Sequence, residues 1–284
     1  MEKLSICECP RDAMQGLKEF IPTEQKIKYL NSLLKVGFDC LDFGSFVSPK
    51  AIPQLADTKE VLKGLELNPK TKMLAIVANL RGAEDACEYE EIDILGFPFS
   101  VSETFQQRNT NKSIAASLVS VQRIQELCEK QGKSLQVYLS MAFGNPYGDE
   151  WSADIVNDWA HQLHDLGINK ISLADTIGVS QEDNISALFS TLIPALPKAE
   201  ISAHLHSTPD TWHAKVDAAW KAGCKHFDSA IKGFGGCPMA KDDLTGNLAT
   251  ESLLSYAEKE NLDHNLNSLR FESAINVALQ TFPF

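Results

Sequence analysis

Short β-rich runs alternate with longer segments of helical period from one end of the chain to the other, and this alternation restricts the fold more than any other feature. The runs fall at residues 5–9, 40–44, 73–78, 92–97, 135–141, 170–173, 200–204 and 226–230. Met73-Leu74-Ala75-Ile76-Val77-Ala78 is continuously apolar, as a strand covered on both faces is, whereas a half-exposed antiparallel strand alternates. Between the runs, residues 23–36 place Ile27, Leu30, Leu33 and Leu34 on one helical face before Gly37 stops the pattern. Gly132, Gly167 and Gly223 each close a helical segment just before a run, where a left-handed C-cap belongs. Eight such strands with helical crossovers predict the α/β class and a (β/α)8 TIM barrel, a fold that takes about 250 residues. The 284 residues therefore suit one barrel domain spanning 1–284. Residues 265–284, with Leu266, Leu269, Phe271, Ile275, Val277 and Leu279, predict an additional amphipathic C-terminal helix that covers the barrel bottom or a subunit contact. The alternative is an open doubly wound sheet, against which stands the absence of GxGxxG after the first run.

Charge bears on partners. A net charge of -12 disfavours nucleic acid or an anionic lipid surface as the main ligand, although a local basic patch still admits an anionic cofactor. No apolar stretch approaches the ~18 residues of a membrane span, and the N-terminus lacks an apolar signal core. A cytoplasmic or matrix-type compartment is the expectation. The seven cysteines are scattered, with no CxxC pair. They read as reduced thiols, mostly small buried hydrophobes, and not as a disulfide framework or a zinc site.

Barrels of this kind carry their chemistry at the C-terminal ends of the strands, and polar residues are dense there. The first run ends in Glu8-Cys9-Pro10-Arg11-Asp12, the second in Asp42-Phe43-Gly44-Ser45, the sixth in Asp175-Thr176 and the seventh in His204-Leu205-His206. An i, i+2 spacing on an extended strand points both imidazoles to one side. Two readings stand for them: a pair holding one metal ion, or a satisfied core histidine beside a surface one. Asp12 offers an anionic oxygen and Asn247 a neutral one. A mixed imidazole, carboxylate and amide set suits octahedral Mg²⁺ or Mn²⁺ better than closed tetrahedral zinc. Arg11 is either a strand-end ion pair or a guanidinium that steadies an enolate oxygen. Asp175 either caps the following helix or orients substrate. Lys18 and Lys50, on the loops after the first two runs, are either solvated or phosphate contacts. The stretch Gly233-Phe234-Gly235-Gly236-Cys237-Pro238 is either a mobile lid bearing an acid or base or a glycine-rich connection with an incidental cysteine.

Cys9-Pro10-Arg11-Asp12, Ser45-Phe46-Val47-Ser48-Pro49-Lys50, Ser172-Leu173-Ala174-Asp175-Thr176-Ile177-Gly178-Val179 and the 233–238 stretch with Gly246-Asn247-Leu248-Ala249-Thr250 together resemble the hydroxymethylglutaryl-CoA lyases, within the metal-dependent barrel lyases and synthases. The resemblance spans almost the whole chain. It implies cleavage of 3-hydroxy-3-methylglutaryl-CoA into acetyl-CoA and acetoacetate, coenzyme A entering as part of the substrate, and a homodimer. It further implies a divalent cation on Asp12, His204, His206 and Asn247, an enolate-stabilising Arg11, and Cys237 as the loop acid/base. Asp42 would occupy the position of a catalytic glutamate, Glu8 and Asp175 match functional carboxylates, and Lys18 matches a coenzyme A contact.

Several positions depart from the family pattern. Its Arg-Asp-Gly-Leu-Gln reads Arg11-Asp12-Ala13-Met14-Gln15, its second-strand glutamate is the shorter Asp42, the Asp after the second histidine is Ser207, and Lys232 adds a cation at the base of the glycine loop. None deletes a ligand type. The shorter Asp42 raises the expectation that its carboxylate is withdrawn from its hydrogen-bond partner. The competing readings are a Claisen-type synthase or aldolase of the wider group, which usually carries C-terminal segments beyond the length seen here, and a non-catalytic acyl-CoA-binding barrel.

Overall fold

The computed structural model of the chain describes residues 1–236 and 245–282. Each of the eight β-rich runs supplies a strand: β1 (Ser5–Glu8), β2 (Cys40–Ser45), β3 (Lys72–Ile76), β4 (Ile94–Ser100), β5 (Ser134–Ser140), β6 (Lys170–Ala174), β7 (Glu200–His204) and β8 (His226–Ser229). All pair in parallel in sequence order, and β8 closes on β1 through Ser5↔His226 to Glu8↔Ser229. The open doubly wound alternative is thereby excluded.

Helices cross over between the strands: α1 (Pro10–Gln15), α2 (Thr23–Leu34), α3 (Thr58–Lys63), α4 (Leu80–Cys87), α5 (Glu103–Thr110), α6 (Ile114–Gln131), α7 (Ala153–Asp165), α8 (Glu182–Ala195), α9 (Trp212–Lys221), α10 (Thr250–Lys259) and α11 (Ser268–Thr281). Among the described residues no helix is long and apolar enough to cross a membrane. Local chemistry sets their ends. Ser113 caps α6 by accepting the Ala116 N–H at 3.1 Å, and Gly132 at φ 65° terminates it, the left-handed stop expected of that glycine.

The main apolar core lies between the strands and the helices, from Leu4 and Ile6 round to Leu253 and Phe271. Inside the barrel the filling is divided. Leu74, Ile76, Ile94 and Tyr138 of β3–β5 form a compact apolar cluster, whereas β1, β2, β7 and β8 turn Cys7, Cys40, Ser202 and Asp228 towards the N-terminal cavity. That polar half departs from the branched aliphatic filling usual for the fold.

The C-terminal helix forms as expected and buries part of the expected stripe, with Leu266 and Phe271 in the core. Phe271, Ala274 and Ala278 face inwards, while Leu269 is 75% exposed. It runs along α2 at the side of the barrel, with Phe271 edge-on to Phe38 at 6.4 Å and the following Phe282 edge-on to Tyr29 at 5.5 Å.

Candidate active site

A cavity of about 360 Å³ opens at the C-terminal mouth, lined at its base by Arg11, Asp12, Tyr138, His204 and His206. Its other wall is apolar, built by Val47, Ile52, Ile76, Ala78 and Pro98, with Arg108 of α5 also on the lining.

The two histidines do converge. β7 ends at His204, and His206 belongs to a two-residue antiparallel ribbon in which His206 pairs with Asn247 and Ser207 with Gly246. The ribbon carries Asn247 across 41 residues of chain to the seventh strand end. The ring centroids of His204 and His206 lie 5.5 Å apart. One ligand atom from each of Asp12, His204 and His206 falls within 4.8 Å of the others, so a single cation can reach all three. Asn247 Nδ2 donates to Asp12 Oδ2 at 2.8 Å and to the Phe234 carbonyl at 2.9 Å. Its amide therefore touches the cluster, and a half-turn of that amide presents the oxygen.

Electrostatics prepares these groups for a cation. Asp12 is held down at about 2: burial opposes its charge, but Arg11, His204 and His206 outweigh it. Burial, then the neighbouring His204, pushes His206 down to about 4, so its ring is neutral at pH 7. Burial acts on His204 in the same direction, yet Asp228 overrides it and raises that ring above its ordinary value. Asp228 Oδ2 sits 3.0 Å from His204 Nδ1, an arrangement that leaves Nε2 for a ligand. Asp228 went unremarked as a site residue in the sequence. The available signal was an acidic residue inside a strand candidate, and register places it directly beside His204.

Arg11 is buried and organises the base. Its Nε reaches both Asp42 oxygens, at 3.1 and 2.9 Å, and Nη2 reaches Asp42 Oδ2 at 2.5 Å. Nη1 donates to Asp12 at 3.0 Å and to Gln15 at 2.8 Å. Gln15 in turn donates to Asp12 at 3.0 Å. Four of the five guanidinium N–H groups are thus committed, which leaves one Nη2 hydrogen for a ligand. The expected withdrawal of the shorter carboxylate is not seen: Asp42 engages Arg11 through both oxygens. Burial pushes Asp42 up to about 6 against the opposing pull of Arg11. For Arg11 burial again works against the charge, but Asp42 and Asp12 keep it firmly protonated.

The remaining sequence candidates lie around this base. Asp175 is fully buried and accepts from Ser180 Oγ at 2.5 Å and Lys215 Nζ at 2.7 Å. The same ammonium donates to the His206 carbonyl at 2.8 Å, so Asp175 fixes the histidine backbone while its neighbours Ala174 and Thr176 line the cavity. Glu8 accepts from Ile231 N–H at 2.7 Å and Thr250 Oγ1 at 2.6 Å, tying β1 to the segment after β8; burial pushes it up to about 8. Ser45 Oγ accepts the Val47 N–H at 3.2 Å. Lys18 and Lys50 are exposed, and neither is on the cavity wall, although Ala51 and Ile52 just after Lys50 are. Lys232 pairs with Glu251 at 3.4 Å. Cys237 lies outside the described residues. Before it, Gly235 packs against the cluster: it has φ +92°, and a Cβ there would stand 2.8 Å from both Ala13 Cα and Asn247 Nδ2.

The sequence reading also passed over Tyr138 and Arg108. Tyr138 meets His204 edge-on at 5.6 Å, and its buried hydroxyl has no hydrogen-bond partner among the described residues. Arg108 stacks over Tyr147 at 4.7 Å. Both come from β4–β5 elements whose ends carry no motif.

A closed parallel barrel that gathers its titratable side chains at the C-terminal mouth defines an enzyme of the (β/α)8 class. The chain belongs to the HMGL-like family, whose model matches residues 3–277, and is a lyase. It is similar to the hydroxymethylglutaryl-CoA lyase of Bacillus subtilis, 33% identical over 274 residues that cover 96% of this chain and 91% of that protein. The 3-hydroxy-3-isohexenylglutaryl-CoA/hydroxymethylglutaryl-CoA lyase of Pseudomonas aeruginosa is 35% identical over 245 residues, covering 86% of this chain and 81% of its own length. Among solved structures, an HMG-CoA lyase from Acinetobacter baumannii in complex with coenzyme A and 3-methylmalate superposes with a TM-score of 0.92 at 29% identity, covering 98% of this chain and 91% of that one.

Proposed function

We propose that the chain cleaves 3-hydroxy-3-methylglutaryl-CoA into acetyl-CoA and acetoacetate, with Mg²⁺ or Mn²⁺ held by Asp12, His204, His206 and Asn247. The observation that carries this reading is the convergence of Asp12, His204 and His206 within 4.8 Å beside a buried guanidinium, in a chain of the HMGL-like family. The donor set fits the cation: one ionised carboxylate, two imidazoles that can be neutral and an adjacent amide suit a hard-to-borderline divalent ion. When bound there, such an ion acts as a Lewis acid towards substrate oxygens and makes the tertiary alcohol acidic enough to lose its proton.

The chain's own residues do the rest. The bond between the acyl C2 and C3 breaks, its electron pair passes to the thioester as an enolate, and the C3 hydroxyl proton leaves to a base. Arg11, with one N–H uncommitted and its charge held by Asp42, faces the cavity as the group that stabilises the enolate oxygen. Cys237 supplies the proton that converts the enolate to acetyl-CoA. The apolar wall of Val47, Ile52 and Ile76 receives the branched acyl substituent and excludes water. Lys18 and Lys50, exposed on the loops after β1 and β2, are proposed as contacts for the coenzyme A phosphates, and a homodimer is part of the same proposal.

Purified protein with Mg²⁺ or Mn²⁺ and a panel of branched 3-hydroxyacyl-CoA thioesters is expected to release acetoacetate from the methylglutaryl member. Cys237→Ala should abolish most of that turnover with metal content unchanged. Binding of thioester and cation without carbon–carbon cleavage would instead establish a binding barrel.

Asp228→Asn is expected to weaken the cation about 10- to 100-fold, the usual effect of losing a ligand's carboxylate partner. The sign of the accompanying pH change follows from His204. Asp228 raises that ring, and a protonated ring cannot ligate, so the acid limb of cation affinity moves to lower pH in the variant. Isothermal titration from pH 5 to 8 reads both; an unmoved limb would separate Asp228 from the cation site.

A further inference from the structure

The barrel has a second cavity at its N-terminal mouth, about 270 Å³ in volume, with Cys7, Cys40 and Asp228 on its wall and Lys170, Glu200 and His226 at the strand starts. Strand register assembles its inner layer. Cys7 pairs with Cys40 across β1–β2 and with Asp228 across β1–β8, so the three residues stand side by side on one level. Cys9 follows Cys7 by two and returns to the same face. The sulfurs of Cys7 and Cys9 and a carboxylate oxygen of Asp228 all lie within 4.8 Å of one another. Cys40 stands on the neighbouring strand at the level of Cys7, on the same cavity wall. Two thiols thus converge on one carboxylate with a third, Cys40, beside them on β2, and the proposed cleavage uses none of them.

We propose that Cys7, Cys9, Cys40 and Asp228 form a site for a thiophilic d¹⁰ cation of the Zn²⁺ and Cd²⁺ class, reached from the N-terminal mouth and coupled through Asp228 to His204. Tetrahedral ligands on bonds of ~2.3 Å stand roughly 3.8 Å apart, so small rotamer changes close the observed cluster on an ion. Binding forms metal–sulfur bonds, and the thiol protons pass to solvent; no oxidant takes part. Softness sorts the two sites: thiolates select the d¹⁰ ion, whereas the mouth, with imidazole, carboxylate and amide donors and no thiolate among Asp12, His204, His206 and Asn247, suits a harder ion such as Mg²⁺ or Mn²⁺. Polar strand starts, including the Lys170–Glu200 pair at 2.7 Å, line the route in. Asp228 is the shared element, since its carboxylate also reaches His204, with Oδ2 3.0 Å from Nδ1. An ion that takes this carboxylate loosens its hold on the imidazole.

The site stands apart from the proposed cleavage, and its test does not depend on turnover. Cd²⁺ is titrated into the full-length protein in saturating Mg²⁺ and followed by thiolate-to-cadmium charge-transfer absorbance in the ultraviolet. The band is expected to saturate near one equivalent, to persist in Cys237→Ser and Cys87→Ser, and to vanish in Cys7→Ser/Cys40→Ser. Cadmium NMR on the unsubstituted protein needs no variant to fold and should report a sulfur-rich donor set. Nitrogen NMR should show His204 Nδ1 moving as the band grows. No band, a band indifferent to Cys7 and Cys40, or an oxygen–nitrogen donor set overturns the site; a stationary His204 overturns the coupling.

Discussion

Arg11→Met is expected to lower kcat about 100- to 1,000-fold, the range for removing one preorganised donor at a developing oxyanion, while leaving KM for the thioester within a few-fold of its original value. The split follows from geometry. Four guanidinium N–H groups are committed to Asp42, Asp12 and Gln15, so what Arg11 offers substrate is its charge and one N–H, both most effective when the enolate forms. The variant also uncovers a structural cost. Asp42 is fully buried and, without Arg11, would be a buried carboxylate lacking its cationic partner, a loss of about 3–5 kcal/mol. Thermal unfolding beside steady-state kinetics separates the effects, and Arg11→Met/Asp42→Leu should recover much of the stability and none of the turnover. A variant that kept kcat would remove Arg11 from the chemistry.

His206→Ala has the second large effect. It removes one of the three clustered ligands and leaves space where a 3% exposed imidazole stood. Cation retained after dialysis is expected to fall to background, and turnover with it. His206 is pushed down to about 4 mainly by burial; no proton competes for it at neutral pH, and its ligand capacity is lost only as pH falls towards that value. His204, raised by Asp228 against the effect of burial, is the ring for which proton and cation compete at the higher pH. Metal analysis after dialysis checks the assignment, and unchanged occupancy would show that the cation is held elsewhere.

Much of the architecture was written in the one-dimensional pattern. A continuously apolar run such as 73–78 between helical periods suits a parallel strand covered on both faces, and each of the eight β-rich runs supplies a strand of the barrel. Asp12, His204, His206 and Arg11 were legible too, because ligand-type residues at strand ends share one mouth once a barrel is assumed. The C-terminal helix was legible as a helix and its buried face in part: Phe271 of the apolar stripe is buried, but only packing against α2 brought in Ala274 and Ala278 and left Leu269 exposed.

What tertiary structure alone decided are the pairings that depend on register. Asp228 reaches His204, Cys7 meets Cys40 and Asp228, and Asn247 meets His206 because neighbouring strands are locked at particular offsets. A slip of one residue would turn each side chain to the opposite face, and sequence spacing carries no information about that offset. Asp42 likewise reaches Arg11 although it is a methylene shorter than the family's glutamate, since the backbone positions of β2 and α1, not side-chain length, set that distance. The residue types were therefore determined by sequence; which of them became partners was set by closure of the barrel.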